Sequence, residues 1–202
     1  MTRAGRFADY RTLAGDSCEL LLPDGSHVDL SAGSALSVDY GETARRLTLH
    51  QGEAFFQVTG DSARPFVVKA GPADFTALGT AFNIRLAGDR VRLTVTEHSV
   101  LARSSAVEAV VEQGQQFALG DGATAGPRAV DSEAETAWRH GVLVFRATPL
   151  GEVIDVLARN AGWNVWTPRS HRRYCAWSSR WRSRPRWRRS ECTGKERPSA
   201  GA

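Results

Sequence analysis

Arg45–Val58 reads RRLTLHQGEAFFQV. The runs RRLTLH and EAFFQV are rich in strand-forming residues and flank Gln51 and Gly52, so the stretch reads as two strands about a glycine that can turn or bend the chain. Side chains alternate along a strand, which sets Glu53, Phe55 and Gln57 on one face and Ala54, Phe56 and Val58 on the other. Glu53 lies beside aromatics that could raise its pKa, as a general acid requires. No second carboxylate stands at a recognisable spacing from it, and a strand-start carboxylate paired with a nearby arginine is the simpler reading.

The same texture extends in both directions. From Cys18 to about Leu119 short runs rich in Val, Leu, Phe and Thr are broken by Gly, Asp and Ser: CELLL, HVDL, PFVVKA, DFTAL, AFNIRL, VRLTVTE, SVLAR, AVEAVVE and QQFAL. Pro23-Asp24-Gly25-Ser26 carries the chemistry of a hairpin turn. In VRLTVT, Val91, Leu93 and Val95 alternate with Arg92, Thr94 and Thr96, as expected for a sheet with one wet face. About ten strands with no intervening helix predict a mainly β domain over residues 18–120, an antiparallel β-sandwich, barrel or strand-stacking solenoid, after a lead-in over 1–17.

Beyond it the pattern changes. GDGATAGPR (Gly120–Arg128) reads as a surface loop and DSEAETAWRHG as a weak helix, making 121–141 a linker. VLVF reads as a strand and TPLGEVIDVLARNAGW as a helix. In the helix Thr148 is the cap, Pro149 the first helical residue, Gly162 the stop, and Leu150, Val153, Ile154, Leu157 and Ala161 one apolar face. WNVW begins another strand. Residues 142–167 thus resemble a small α+β module that stops after strand, helix and strand.

The remainder, 168–202, is of another kind. After Trp166 there is no Val, Ile, Leu, Phe or Met, so little offsets the entropy of ordering and a disordered tail is expected. Residues 169–202 hold eleven Lys or Arg and two Asp or Glu, a balance of +9, which leaves −5 for 1–168 out of a total of +4. Excess Arg, Trp, Ser, Pro and Cys with aliphatics missing is what a GC-rich gene yields when read out of frame, and another frame is expected to restore an apolar-patterned continuation. An alternative reading makes RRYCAWSSRWRSRPRWRRS a nucleic-acid-binding arm, since guanidinium groups pair with phosphates and indoles stack on bases.

Little else points to chemistry. There is no G-x-S-x-G elbow, P-loop, H-E-x-x-H or dinucleotide fingerprint. His27 and Asp29 can share a strand face, but two ligands do not close a transition-metal site. Cys18, Cys175 and Cys192 form no metal-ligand spacing. No catalytic residue, metal or cofactor is expected. No run of about eighteen apolar residues occurs, and the N-terminal MTRAGRFADYRTLAG lacks the apolar core of a signal peptide, so neither a membrane span nor export by the general route is expected of this chain.

LLPDGSHVDLSAGSAL, RRLTLHQGEAFFQV, RPFVVKA, FTALGTAFNIR, VRLTVTEHSV and AWRHGVLVFRATPLGEVIDVLAR occur in the order and at the spacing of the FecR family, which the chain resembles over about Arg11 to Asn160. The resemblance implies a regulator, or anti-sigma factor, of iron–siderophore cell-surface signalling, with a cytoplasmic segment that acts on a sigma factor, one membrane helix, and a periplasmic sensor. Its implied partner is the signalling domain of a TonB-dependent outer-membrane transporter; specific nucleic-acid binding is not implied. The cytoplasmic segment and membrane helix have no counterpart here, and a late start or truncated gene is expected. The matching positions are Asp24, Gly25, Ser26, Gly52, Glu53, Phe56, Arg64, Pro65, Phe66, Leu78, Gly79, Thr80, Phe82, Trp138, Gly141, Phe145, Pro149 and Leu150, and they read as fold determinants rather than catalytic groups. In one departure, Glu97-His98 stands where the family usually has Gly after the acid, so a tight turn there must carry a Cβ, at about 1 kcal/mol if φ is positive.

Overall fold

The computed structural model describes residues 8–120, 123–145, 148–161 and 188–192. The expected pair of strands around Gly52 is one strand. β5 runs unbroken from Arg45 to Gln57, and Gly52 at φ +89° bends it instead of ending it. Next to the bend, the pairing of β5 with β4 (Ala35–Tyr40) skips a residue between Leu49 and Gln51. A bulge and a glycine at one point let a strand leave one sheet and enter another. A Cβ on Gly52 would stand 2.6 Å from Ser34 Cα, so the close approach of the β4 end requires glycine.

Two sheets share this strand. The first contains β1 (Tyr10–Arg11), β4, the first half of β5, β6 (Phe66–Ala70), β7 (Ala73–Ala77), β10 (Ser99–Ser104) and β11 (Glu108–Glu112), in that order. The second contains β14 (Arg188–Glu191), β2 (Asp16–Leu21), β3 (His27–Leu30), the second half of β5, β8 (Ala81–Ala87), β9 (Arg90–Glu97), β12 (Gln115–Gly120) and β13 (Ala123–Ala129). Pairing is antiparallel throughout, except that β6 lies parallel to β5 and β14 parallel to β2.

The expected alternation builds one core from both sheets. Leu47, Leu49, Phe66, Phe75 and Val100 from the first meet Val28, Leu30, Phe56, Phe82, Ile84 and Leu93 from the second. At its centre Phe56 stacks on Phe82 at 5.1 Å and meets Phe66 edge-on at 6.0 Å. Of the outward residues of VRLTVT, Thr94 is buried, because Gln116 on β12 covers it and donates to its hydroxyl at 3.0 Å.

Several expectations need correction. Gly120–Arg128 is not a surface loop: β13 occupies Ala123–Ala129 and extends the sheet beside β12. Its Pro127 falls where the register shifts, between the pairs of Gln116 and Ala118, so the missing N–H interrupts no regular ladder. VLVF is not a strand. Val142 and Val144 are exposed, Leu143 packs on Trp138, and among the described residues no strand pairs with this segment. Residues 168–202 were expected to be disordered, yet Arg188–Glu191 forms β14, because β2 presents a free edge that can accept backbone hydrogen bonds. The expected strand WNVW lies outside the described residues, as does most of the tail.

The weak helix is α1 (Ser132–Thr136), capped by Asp131 and continued by a 3-10 turn, Ala137–His140, that Gly141 closes at φ +73°. The clear helix is α2 (Leu150–Ala161), with Pro149 just outside it and accepting from Val153 N. Its docked side is not the expected apolar face. Val156 is buried and the Arg159 carbonyl accepts from Gly15 N at 2.8 Å, whereas Leu150 and Leu157 remain 40% and 43% exposed.

Candidate functional site: the outer face of the second sheet

Alternation that sends Ala54, Phe56 and Val58 inward places Glu53, Phe55 and Gln57 on the outer face of the second sheet. There they meet the segment that follows β13. Trp138 is buried against Phe55 and Ala81, and its indole N–H donates to Asn83 Oδ1 at 3.2 Å. The other end of Asn83 donates to Glu53 Oε1 at 2.9 Å, so Trp138 and Glu53 are joined through one amide. Burial raises the Glu53 pKa above the usual carboxylate range, and the nearby charge of Arg85 and the Asn83 bond only partly offset it. On the helix side, burial and then repulsion from Arg85 lower the pKa of Arg159.

Arg139 extends the attachment. Its guanidinium lies 3.7 Å from the centroid of the Phe55 ring and pairs with Asp29 on β3. Asp29 is therefore committed to an ion pair rather than to a metal with His27; among the described residues no group of three or more His, Cys, Asp or Glu could hold a metal ion. Beside this pair runs an open groove of about 390 Å³, lined by Glu19, His27, Asp29, Phe55, Gln57, Arg139 and His140. Its walls offer carboxylate, imidazole and guanidinium groups around an aromatic ring.

The remaining motif residues brace this platform from inside. Asp24 in the β2–β3 turn accepts from Ser26 N at 3.1 Å, Ser26 Oγ at 2.7 Å, Tyr40 Oη at 3.0 Å and Arg45 Nη1 at 2.6 Å. Arg45 is fully buried. Its Nη1 also donates to the Thr59 carbonyl and its Nε to that of Arg64, both at 2.9 Å, and it lies over Phe66. Burial works to raise the Asp24 pKa, but the bonds from Ser26 and Arg45 outweigh it and hold the carboxyl below its usual range. Tyr40 is shifted far upward, by burial first and then by the Asp24 charge, and so stays a donor.

Gly25 completes that turn, while Pro65, ahead of β6, accepts from Arg45 N. Arg64 pairs with Asp61, and the Leu78 carbonyl takes Asp61 N while its side chain is exposed. A Cβ on Gly79 would meet Gly60 Cα at 3.0 Å; Thr80 is buried and its carbonyl accepts from Val58 N. Phe145 lies half-buried between the 3-10 turn and α2. The structure thus gathers Asp24, Gly25, Ser26, Arg64, Pro65 and Phe66 around Arg45, gathers Glu53 and Trp138 around Asn83, and leaves Pro149 and Leu150 exposed at the start of α2. Sequence reading did not single out Arg45, Asn83, Arg139 or Arg159. Their partners are brought close only by the fold, Asp29 and Arg139 from 110 positions apart.

The family model described as FecR protein matches residues 8–101. Over these residues the chain is similar to a FecR protein. Two crystal structures of a candidate anti-sigma factor from Parabacteroides distasonis ATCC 8503 share its fold. The structure at 1.65 Å has a TM-score of 0.71 and 27% identity, over 75% of this chain and 74% of that one. The structure at 2.50 Å has a TM-score of 0.70 and 27% identity, over 74% and 72%. No curated protein matches the chain. The match ends at Leu101, so Asn83 and Glu53 lie within the matched residues, and Trp138 and Arg139 dock on them from beyond it.

Proposed function

We propose that this chain is the sensor portion of a FecR-like sigma-factor regulator, a binding module that relays the state of a TonB-dependent outer-membrane transporter in iron–siderophore signalling. The reading rests on the FecR match over 8–101, and likeness to a candidate anti-sigma factor supports it. The β-sandwich serves as a rigid platform. The segment from Trp138 through α2 carries the recognition side. One observation carries that assignment: α2 docks through Val156 and Arg159 and leaves Leu150 and Leu157 open to a further layer.

Among the described residues no helix is long and apolar enough to cross a membrane. In this reading the sensor lies in the periplasm, and the sigma factor is reached through a segment that the described sandwich does not supply. Calorimetric titration with the signalling domain of the cognate transporter tests the proposal. The chain continued past residue 166 in the frame that restores an apolar pattern is expected to bind, and the chain as written to bind weakly or not at all. Absence of binding by the continued chain as well would refute the assignment.

A further inference from the structure

Among the strands of the second sheet β2 has an outer edge, and the chain's own C-terminal region closes it. Arg188, Arg189, Ser190 and Glu191 run parallel to β2 in register with Asp16, Ser17, Cys18 and Glu19. The next residue, Cys192, is disulfide-bonded to Cys18, with Cα atoms 5.4 Å apart. Cys18 belongs to the buried core, and Cys192 packs against that core from the side. The Cα separation is that of ordinary disulfides.

We propose that Cys18–Cys192 is a redox-sensitive latch that holds residues 188–192 as a strap over the β2 edge. The assignment does not rest on the sigma-regulator reading, and it stands against the out-of-frame origin of the residues past 166. A four-residue strand reading RRSE has no aliphatic side chain to anchor it, and closing the stretch between α2 and β14 onto the edge costs chain entropy. The covalent bond meets that cost and fixes the register. A dithiol reductant opens the latch by exchange: its thiolate bonds to one sulfur, the other leaves as a thiolate, and the second reductant thiol completes its own disulfide. Cys18 and Cys192 together take up two electrons and two protons. Reduction then uncovers a row of β2 amides and carbonyls that accepts an extended strand. The latch gives the tail a contact that a segment read out of frame has no reason to carry.

The experiment uses the full chain, oxidised with glutathione disulfide. Non-reducing peptide mapping is expected to recover the Cys18 peptide joined to the Cys192 peptide and not to the Cys175 peptide. Hydrogen exchange at Asp16–Leu21 is expected to be slow in oxidised chain and in Cys175→Ser, and at least tenfold faster both after dithiothreitol and in Cys192→Ser. Exchange at β8 and β9 should be unchanged, which separates release of the strap from unfolding. Free thiols at Cys18 and Cys192, a Cys18–Cys175 link, or β2 exchange indifferent to reduction would each overturn the latch and return the tail to the status of an out-of-frame remnant.

Discussion

Arg45 is the residue on which the interior most depends. A fully buried guanidinium is tolerable only because Asp24, two carbonyls and the Phe66 ring meet it. Asp24→Asn keeps the size but removes the charge and turns part of an acceptor into a donor facing Tyr40 and Ser26. We expect a loss of about 3 kcal/mol or more in urea unfolding. Because the folded Asp24 pKa is depressed, its stabilisation is present above the ordinary carboxylate pKa and is lost as pH falls through the lowered value. Wild-type stability should therefore drop in acid more steeply than that of Asp24→Asn. Glu53 has the opposite sign. Its raised pKa makes its contribution greatest below the ordinary glutamate value and smaller as pH rises, so Glu53→Gln should exceed wild type in stability at pH 7 and not at pH 4. At His98, the sole non-glycine with positive φ among the described residues, φ is +57°. The departure noted in Glu97-His98 therefore carries its cost, and His98→Gly should gain about 1 kcal/mol in thermal or urea unfolding.

At the scale of elements, Gly52 and the Trp138 segment matter most. Gly52→Ala should cost several kcal/mol or prevent folding, since large losses follow backbone strain and overpacking together. Ser34→Gly should not rescue it, because the collision includes Ser34 Cα. Trp138→Ala should detach 131–161 from the second sheet while the sandwich persists, seen as faster tryptic cleavage at Arg139 with unchanged far-ultraviolet dichroism; no change in cleavage would mean that the clasp is not what holds the segment. Much of the sandwich was legible because period-two alternation depends only on local order: the strands at Phe66, Ala81 and Arg90 stand where their apolar residues recur. The clasp was not legible in the same way. Trp138 and Glu53 could be named as motif positions, but Asn83 joins them only across three separate elements. β13 was hidden because its glycine and proline resemble loop chemistry while its neighbour β12 supplies the bonds. VLVF erred in reverse, having the pattern of a strand but no partner strand among the described residues.

For the whole molecule, charge separates what composition blurs. The body at −5 and the tail at +9 predict DNA binding that is nonspecific and belongs to the tail. Truncation after Pro168 should abolish it, and raising salt from 50 to 200 mM should weaken it at least about a thousandfold if the tail contacts six or more phosphates. Binding that survives the truncation would place a nucleic-acid surface on the sandwich instead. The sandwich also has an unusual indivisibility. Because β5 contributes its first half to one sheet and its second half to the other, neither sheet is a separable part. A cut between Gln51 and Gly52 would leave each fragment without a strand that its neighbours need on both sides. Calorimetry of the intact domain should accordingly give a single cooperative peak. The two fragments, unfolded apart, should regain structure only when mixed, which would make this joint a natural place to build a split reporter of assembly.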